Sequence, residues 1–226
     1  FETGPLGPGR QSAIWDGTDF NGNRMPAGPY SFEIQAVDTT SEDTELEITF
    51  AELMRESGYQ TALIGKWHLD FQYQRPETGD ILPKKGRAPV GATIPDGPVT
   101  RGFDYYHGFH HAGHMDTIIE DDKVIEKLDE IHCLPRLTEK SVAYIEERAK
   151  SPDQPFFLYV PLGSPHTPHV PTKEWQGKSG LGIYGDFVMQ TDATVGAIMD
   201  ALEKNGFADN TLVVFTSDNG CSRAAG

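Results

Sequence analysis

Lys66 and His68 stand two residues apart in the stretch Gly58–Leu69, which reads G-Y-Q-T-A-L-I-G-K-W-H-L. On an extended backbone, side chains two positions apart leave on the same side. A cation and an imidazole aimed at one spot suit an anionic group that must be held and then protonated or deprotonated. Two further clusters offer complementary chemistry. Ser164-Pro165-His166-Thr167-Pro168-His169 sets two histidines among prolines, and Asp218-Asn219 offers oxygen donors near the end of the sequence. Such hard ligands suit Ca²⁺ or Mg²⁺ rather than zinc. A hard cation, a lysine and two or three histidines describe a site for a tetrahedral oxyanion such as sulfate or phosphate. The cation and the lysine would neutralise developing charge while histidine moves protons.

Each cluster follows an element able to position it. Tyr59–Ile64 reads as a strand, and Pro155–Val160 (P-F-F-L-Y-V) as a continuously apolar strand of the kind buried on both faces. Thr211–Thr216 reads as another buried strand, leading into Ser217-Asp218-Asn219-Gly220. Helices alternate with these runs. Thr49-Phe50-Ala51-Glu52 is a capping-box pattern with Phe50, Leu53 and Met54 on one stripe and Gly58 as the stop. Leu137–Lys150 is a helix capped at Thr138, and Asp186–Asn205 carries Val188, Val195, Ile198, Met199 and Leu202 at helical spacing. The pattern predicts an α/β fold, with a mainly parallel sheet flanked by helices and a site at the carboxyl edge of its strands. Taken singly, Asp218-Asn219-Gly220 is a good turn, His166 and His169 are ordinary loop histidines, and Lys66 is a solvated strand end. Their coincidence at three strand ends favours a site.

The remaining segments carry less chemistry. Asp70–Gly102, rich in Gly, Pro and charge, reads as a long surface excursion. His110, His111 and His114 invite a metal, but no Cys or carboxylate completes a recognised ligand spacing, so a solvated or hydrogen-bonded loop is expected. The 226 residues carry 19 basic against 34 acidic side chains, a net charge of −15. That excess argues against a nucleic-acid or membrane-surface binder, since a phosphate backbone is met by cations. No run reaches the roughly 18 apolar residues of a membrane span. Cys133 and Cys221 do not form a disulfide framework, and two free buried thiols are expected. No signal peptide is visible, and a start at Phe1 rather than Met suggests a fragment.

Residues 1–43 differ in character. Asn21-Gly22 is a hairpin signal, and Phe32, Ile34 and Ala36 share one face of an alternating run. The string G-P-G-R-x-x-x-x-W-D-G-T-D-x-x-G-N-x-x-P-A-G-x-Y resembles the immunoglobulin-like module of flagellar hook-capping proteins. It implies a partial, structural β module over 1–43, followed by the acidic linker Ser41–Glu47.

From about Thr44 onward the sequence resembles the type I sulfatases, the arylsulfatases of the alkaline-phosphatase superfamily. The motifs are G-Y-x-T-A-L-I-G-K-W-H-L (Gly58–Leu69), R-G-F-D-x-x-x-G-F (Arg101–Phe109) and P-F-F-L-Y-V-P-L-G-S-P-H-T-P-H (Pro155–His169). G-K-S-G-x-G-x-Y-G-D-F-V (Gly177–Val188) and A-D-N-T-L-V-V-F-T-S-D-N-G (Ala208–Gly220) continue the series. The resemblance implies a partial catalytic domain over 44–226 that hydrolyses sulfate esters of small molecules or glycans. It implies that Lys66 contacts the sulfate and the nucleophile, and that His68 polarises a hydrated formylglycine. It further implies that His166 binds sulfate and serves as general acid, with His169 second, and that Asp218 and Asn219 are two of the calcium ligands. Periplasmic or secreted localisation is expected from the family; no oligomeric state is.

The departures concern the nucleophile and half of the metal site. Formylglycine arises in the family from cysteine in C-x-P-S-R or C-x-A-S-R upstream of the stretch matched by Gly58–Leu69, and neither string occurs here. Cys221-Ser222-Arg223 lacks the proline and lies at the wrong end. The family's N-terminal Asp-Asp pair and its later sulfate-clamping lysine also have no counterpart, and Asp70 stands where glycine is usual. A chain lacking its nucleophile is expected to be inactive alone. Two alternatives stand beside the sulfatase reading: a phosphate- or phosphonate-ester hydrolase of the same superfamily, and a catalytically inactive fusion or structural module.

Overall fold

The computed structural model describes residues 49–82, 88–217 and 220. The expected immunoglobulin-like module and the metal candidates Asp218 and Asn219 lie outside the described residues, as does Cys221.

Among the described residues five strands form one sheet: β1 (Gln60–Lys66), β2 (Tyr105–Phe109), β3 (Thr117–Glu120), β4 (Lys123–Lys127) and β5 (Phe156–Tyr159). Their order is β4-β3-β2-β1-β5. β5, β1 and β2 run parallel, whereas β2-β3 and β3-β4 are antiparallel. The parallel part carries the strand ends of interest. The antiparallel hairpin turns at Asp121, whose φ is 53°, a left-handed conformation that Asp tolerates better than most residues.

Three helices flank the sheet. α1 (Phe50–Glu56) starts in the expected capping box: the Thr49 hydroxyl accepts from Glu52 N–H, and the Glu52 carboxylate accepts from Thr49 N–H. Ala51, rather than the stripe of Phe50, Leu53 and Met54, is its buried residue. α2 runs Cys133–Arg148 and α3 Gly182–Lys204, both beginning earlier than the sequence predicts. Thr138 therefore lies within α2, its hydroxyl donating to Leu134 C=O at 2.9 Å. Pro135 sits in the first turn, where a missing N–H costs no helical bond.

Side-chain alternation along the strands splits the core. Leu63, Tyr106, Ile119 and Val124 pack with Ala51, Phe71, Ala88, Ala92, Ile94 and Phe103. Ile64 and Phe109 pack on the other face with Met115, Cys133 and Leu137. Ile145 of α2 meets Ala201 and Leu202 of α3. The excursion 70–102 thus does more than cross the surface. Its apolar residues cover one face of the sheet; bridges of Gln74 with Ile81 and Thr93 fold it on itself, and a bridge from Thr93 to Lys123 ties it to β4.

Two strand expectations are corrected. β5 is half-buried, with Tyr159 50% exposed, because among the described residues it pairs only with β1. Thr211–Thr216 forms no strand, and Val214 and Phe215 are 63% and 79% exposed. Extended propensity alone does not build a strand; a ladder needs a neighbour, and none of the described strands pairs with this run. No helix of the described residues is long and apolar enough to cross a membrane.

Candidate active site

Lys66 is the last residue of β1, and its position depends on two close approaches. Gly65, at φ 149°, lies so near Pro161 that an added Cβ would meet the Pro161 carbonyl oxygen at 2.2 Å. Across the ladder it faces Gly108, where a Cβ would fall 1.8 Å from the Gly65 oxygen. With both positions bare, Lys66 N–H donates to Pro161 C=O at 2.7 Å. Beyond Lys66 the chain stays tied to the continuation of β2: Trp67 N–H donates to Phe109 C=O at 3.0 Å and His68 N–H to His110 C=O at 2.7 Å. Trp67 packs into the core, whereas His68 is exposed.

His68 is not on an extended backbone. Its φ of 64° is left-handed, uncommon for a residue with a Cβ and a form of local strain that often marks functional sites. The two-residue spacing therefore does not by itself place His68 beside Lys66. Its N–H is held instead by the continuation of β2.

That strand end delivers the histidine cluster to the same edge. The His110 ring lies 4.3 Å from that of Phe71, and its Nε2–H donates to Leu69 C=O at 3.1 Å. Burial holds its pKa below the usual value. His111 follows on extended backbone, at φ −146° and ψ 152°. Its Nδ1 accepts from Gly113 N–H at 3.1 Å, capping the 3-10 turn Ala112–His114. Its ring centroid is 5.1 Å from that of His68 and 6.1 Å from that of His114. Desolvation lowers the His111 pKa, and electrostatic interaction with His68, His114, Lys66 and His166 lowers it further. Those four side chains are therefore electrostatic neighbours of one ring.

His166 arrives from the segment after β5, in which the Ser164–Pro165 and Thr167–Pro168 bonds are both cis. Its Nδ1 lies 2.6 Å from Thr167 C=O. A carbonyl only accepts, so Nδ1 carries the proton and Nε2 is left to accept or receive one. Thr191 of α3 donates to the Ser164 hydroxyl at 2.8 Å, bracing the segment. His169 packs on α3, its ring 5.2 Å from that of Tyr184 and 6.5 Å from that of Phe187. Asp186 shapes that end of the helix. Its carboxylate accepts from Ser179 N–H and Oγ–H and from Gly177 N–H, bonds that keep it below the usual carboxylate range.

Of the residues singled out by sequence, His68 meets the ring of His111 and Lys66 and His166 act on it electrostatically, while His169 stands on the aromatic rings of α3. Among the described residues no group of three or more His, Cys, Asp or Glu could hold a metal ion. The R-G-F-D motif works at the opposite end of the strands: Asp104 accepts from Thr61 N–H at 3.0 Å, and its own N–H donates to the Thr61 hydroxyl at 2.9 Å. His111 is the residue that sequence reasoning sets aside. Its signal is a histidine pair directly after Tyr105–Phe109, visible once that run is read as a strand parallel to β1.

Comparison with known proteins identifies the family. A model of the sulfatase family matches residues 23–225. An N-acetylgalactosamine-6-O-sulfatase of Bacteroides thetaiotaomicron is 30% identical, over 76% of this chain and 42% of that protein. Human arylsulfatase A is also 30% identical, over 77% of this chain and 36% of its own length. The chain thus spans well under half of the relatives it matches. A solved protein from work on glycosaminoglycan metabolism by Bacteroides thetaiotaomicron superposes with a TM-score of 0.60 at 23% identity, over 73% of this chain and 43% of that one. The shared sheet and helices are those of the alkaline-phosphatase-like fold. By family match, sequence and fold, this chain belongs to the sulfatase family.

Proposed function

We propose that the chain carries part of a sulfate-ester hydrolase site acting on R–O–SO₃⁻, where R is a small alcohol or a glycan. In this reading Lys66 grips the sulfate, His68 stands beside the reacting centre, and His166 delivers a proton to the departing alcohol oxygen. His169 backs it from the α3 side. The observation that carries the reading is that Lys66 closes β1 and His68 meets the His111 ring, 5.1 Å between centroids, at the carboxyl edge of parallel strands; His166 acts electrostatically on the same ring. The tautomer of His166 supports it further, since Nδ1–H is engaged and Nε2 is left to hold the transferable proton.

Calcium fits the donor chemistry of Asp218 and Asn219, which would hold it through two of the six to eight oxygens it takes; bound there, it would neutralise sulfate charge. No described residue fits the formylglycine precursor. Cys133 is buried at the start of α2, and burial pushes its thiol up to about 12. No covalent step is therefore assigned to these residues, and the 226-residue chain is expected not to turn over an aryl sulfate even with added Ca²⁺.

Titration calorimetry with inorganic sulfate tests the site apart from turnover. Lys66→Ala and His166→Ala should each weaken binding about tenfold or more, since a bond to a charged group is worth roughly 1.5–3 kcal/mol. Unchanged affinity in both variants would remove the basis of the reading.

A further inference from the structure

We propose that His111 is a substrate-binding residue of this site, presenting Nε2–H as a neutral hydrogen-bond donor to an oxygen of the bound sulfate. The proposal rests on the sulfate-ester reading of the Lys66–His68–His166 neighbourhood and adds a recognition element that the sequence motifs do not contain.

Four observations carry it. First, the tautomer is fixed. The Gly113 N–H can only donate, so the Nδ1 it reaches at 3.1 Å is unprotonated, and the one proton of the neutral ring sits on Nε2. Second, His111 is exposed, whereas His107, earlier on the same strand and its continuation, is fully buried in β2. Third, backbone alternation separates the roles of the adjacent pair. His110 is held against Phe71 and Leu69 C=O, whereas His111 meets the ring of His68. Fourth, the ionisable groups that act on it are Lys66, His68 and His166, together with His114.

Desolvation, with the Lys66 cation and the neighbouring imidazoles acting in the same direction, lowers the His111 pKa and favours the neutral ring. A neutral N–H still binds an anionic oxygen. His111 and His166 then divide the work. The first presents a proton it keeps; the second keeps Nε2 open for a proton that moves.

His111 also caps a turn, so a test must separate capping from binding. His111→Asn places a side-chain acceptor where Nδ1 stands and removes the donor; His111→Gln reaches the Nε2 position with an N–H and gives up the cap. Sulfate titration of the full chain should show His111→Asn folded as stably as the parent, with affinity about tenfold weaker. His111→Gln should recover most of that affinity while melting lower. The reverse order, with Asn at parent affinity and Gln weak, assigns His111 a structural role only and overturns the proposal. If Lys66→Ala and His166→Ala weaken binding while His111→Asn does not, the proposal fails and the site reading survives. If the parent chain shows no saturable sulfate binding, both fail.

Discussion

Gly65→Ala is the sharpest perturbation of the scaffold that holds Lys66. The added methyl carbon would lie 2.2 Å from the Pro161 oxygen and 2.8 Å from its carbonyl carbon, both backbone atoms that cannot swing aside. A carbon and an oxygen rest comfortably about 3.3 Å apart, so the two segments must part by about 1 Å. That movement breaks the 2.7 Å bond from Lys66 N–H to Pro161 C=O. Overpacking costs roughly 1–3 kcal/mol, the lost bond about 1 kcal/mol, and a φ of 149° imposed on an L-residue a further 1–3 kcal/mol or so. The sum, about 3–7 kcal/mol, is a large share of the roughly 5–15 kcal/mol that holds a domain together. The assay is urea unfolding of Gly65→Ala beside Gly196→Ala. Gly196 lies inside α3 with no atom within 4 Å of a built Cβ, so alanine there should stabilise by up to about 1 kcal/mol. In thermal melts the two should differ by about 10 °C or more at this chain length. A loss below about 1 kcal/mol in Gly65→Ala would refute the claim that close approach fixes the end of β1.

Burial sets the behaviour of two more side chains. His107 is fully buried with no partner for Nε2, and burial, reinforced by the Lys140 charge against the pull of Glu120, holds its pKa down to about 4. The unfolded imidazole takes its proton near 6.5 while the folded one resists until about 4, so stability is lost as pH falls through that window, by roughly 3 kcal/mol. His107→Phe should flatten the fall in unfolding free energy between about pH 7 and pH 4.5, and parallel profiles would refute the assignment. Cys133 is 2% exposed with its thiol pushed up to about 12, so iodoacetamide should label it, by peptide mapping, only after urea is added. Equal labelling rates with and without urea would show that Ile64, Phe109 and Leu137 do not cover it.

What the sequence revealed, and what it withheld, follows from the range of the interactions involved. Thr49 and Glu52 cap a helix through bonds three residues long, and such a pattern is readable wherever it occurs. The true start of α2 depends on Cys133 and Leu137 packing against Ile64 and Phe109, contacts that no local window contains. The excursion 70–102 is polar by composition, yet Phe71, Ala92 and Ile94 are spaced so that only the sheet reveals their common burial. Thr211–Thr216 has the composition of a strand but lacks a ladder among the described residues, which shows that propensity names a candidate and pairing makes the strand.

The same logic bears on the site. Lys66 and His166 are legible because an apolar run precedes each and a polar cluster ends it. The spacing argument for His68 is one the backbone contradicts, since the chain turns left-handed where an extended course is assumed. It still meets the His111 ring because His110 C=O captures its N–H. That bond comes from the continuation of β2, and β2 is also what brings His111 to the edge. Y-Y-H-G-F shows no clear period, so a count of strand ends from sequence reaches three and passes over a fourth. Once β2 is placed parallel to β1, with Gly108 against Gly65, the histidines after Phe109 must emerge beside the residues after Lys66. A sheet edge is therefore read most completely from strand order, because neighbours in space contribute whether or not their own sequence announces them.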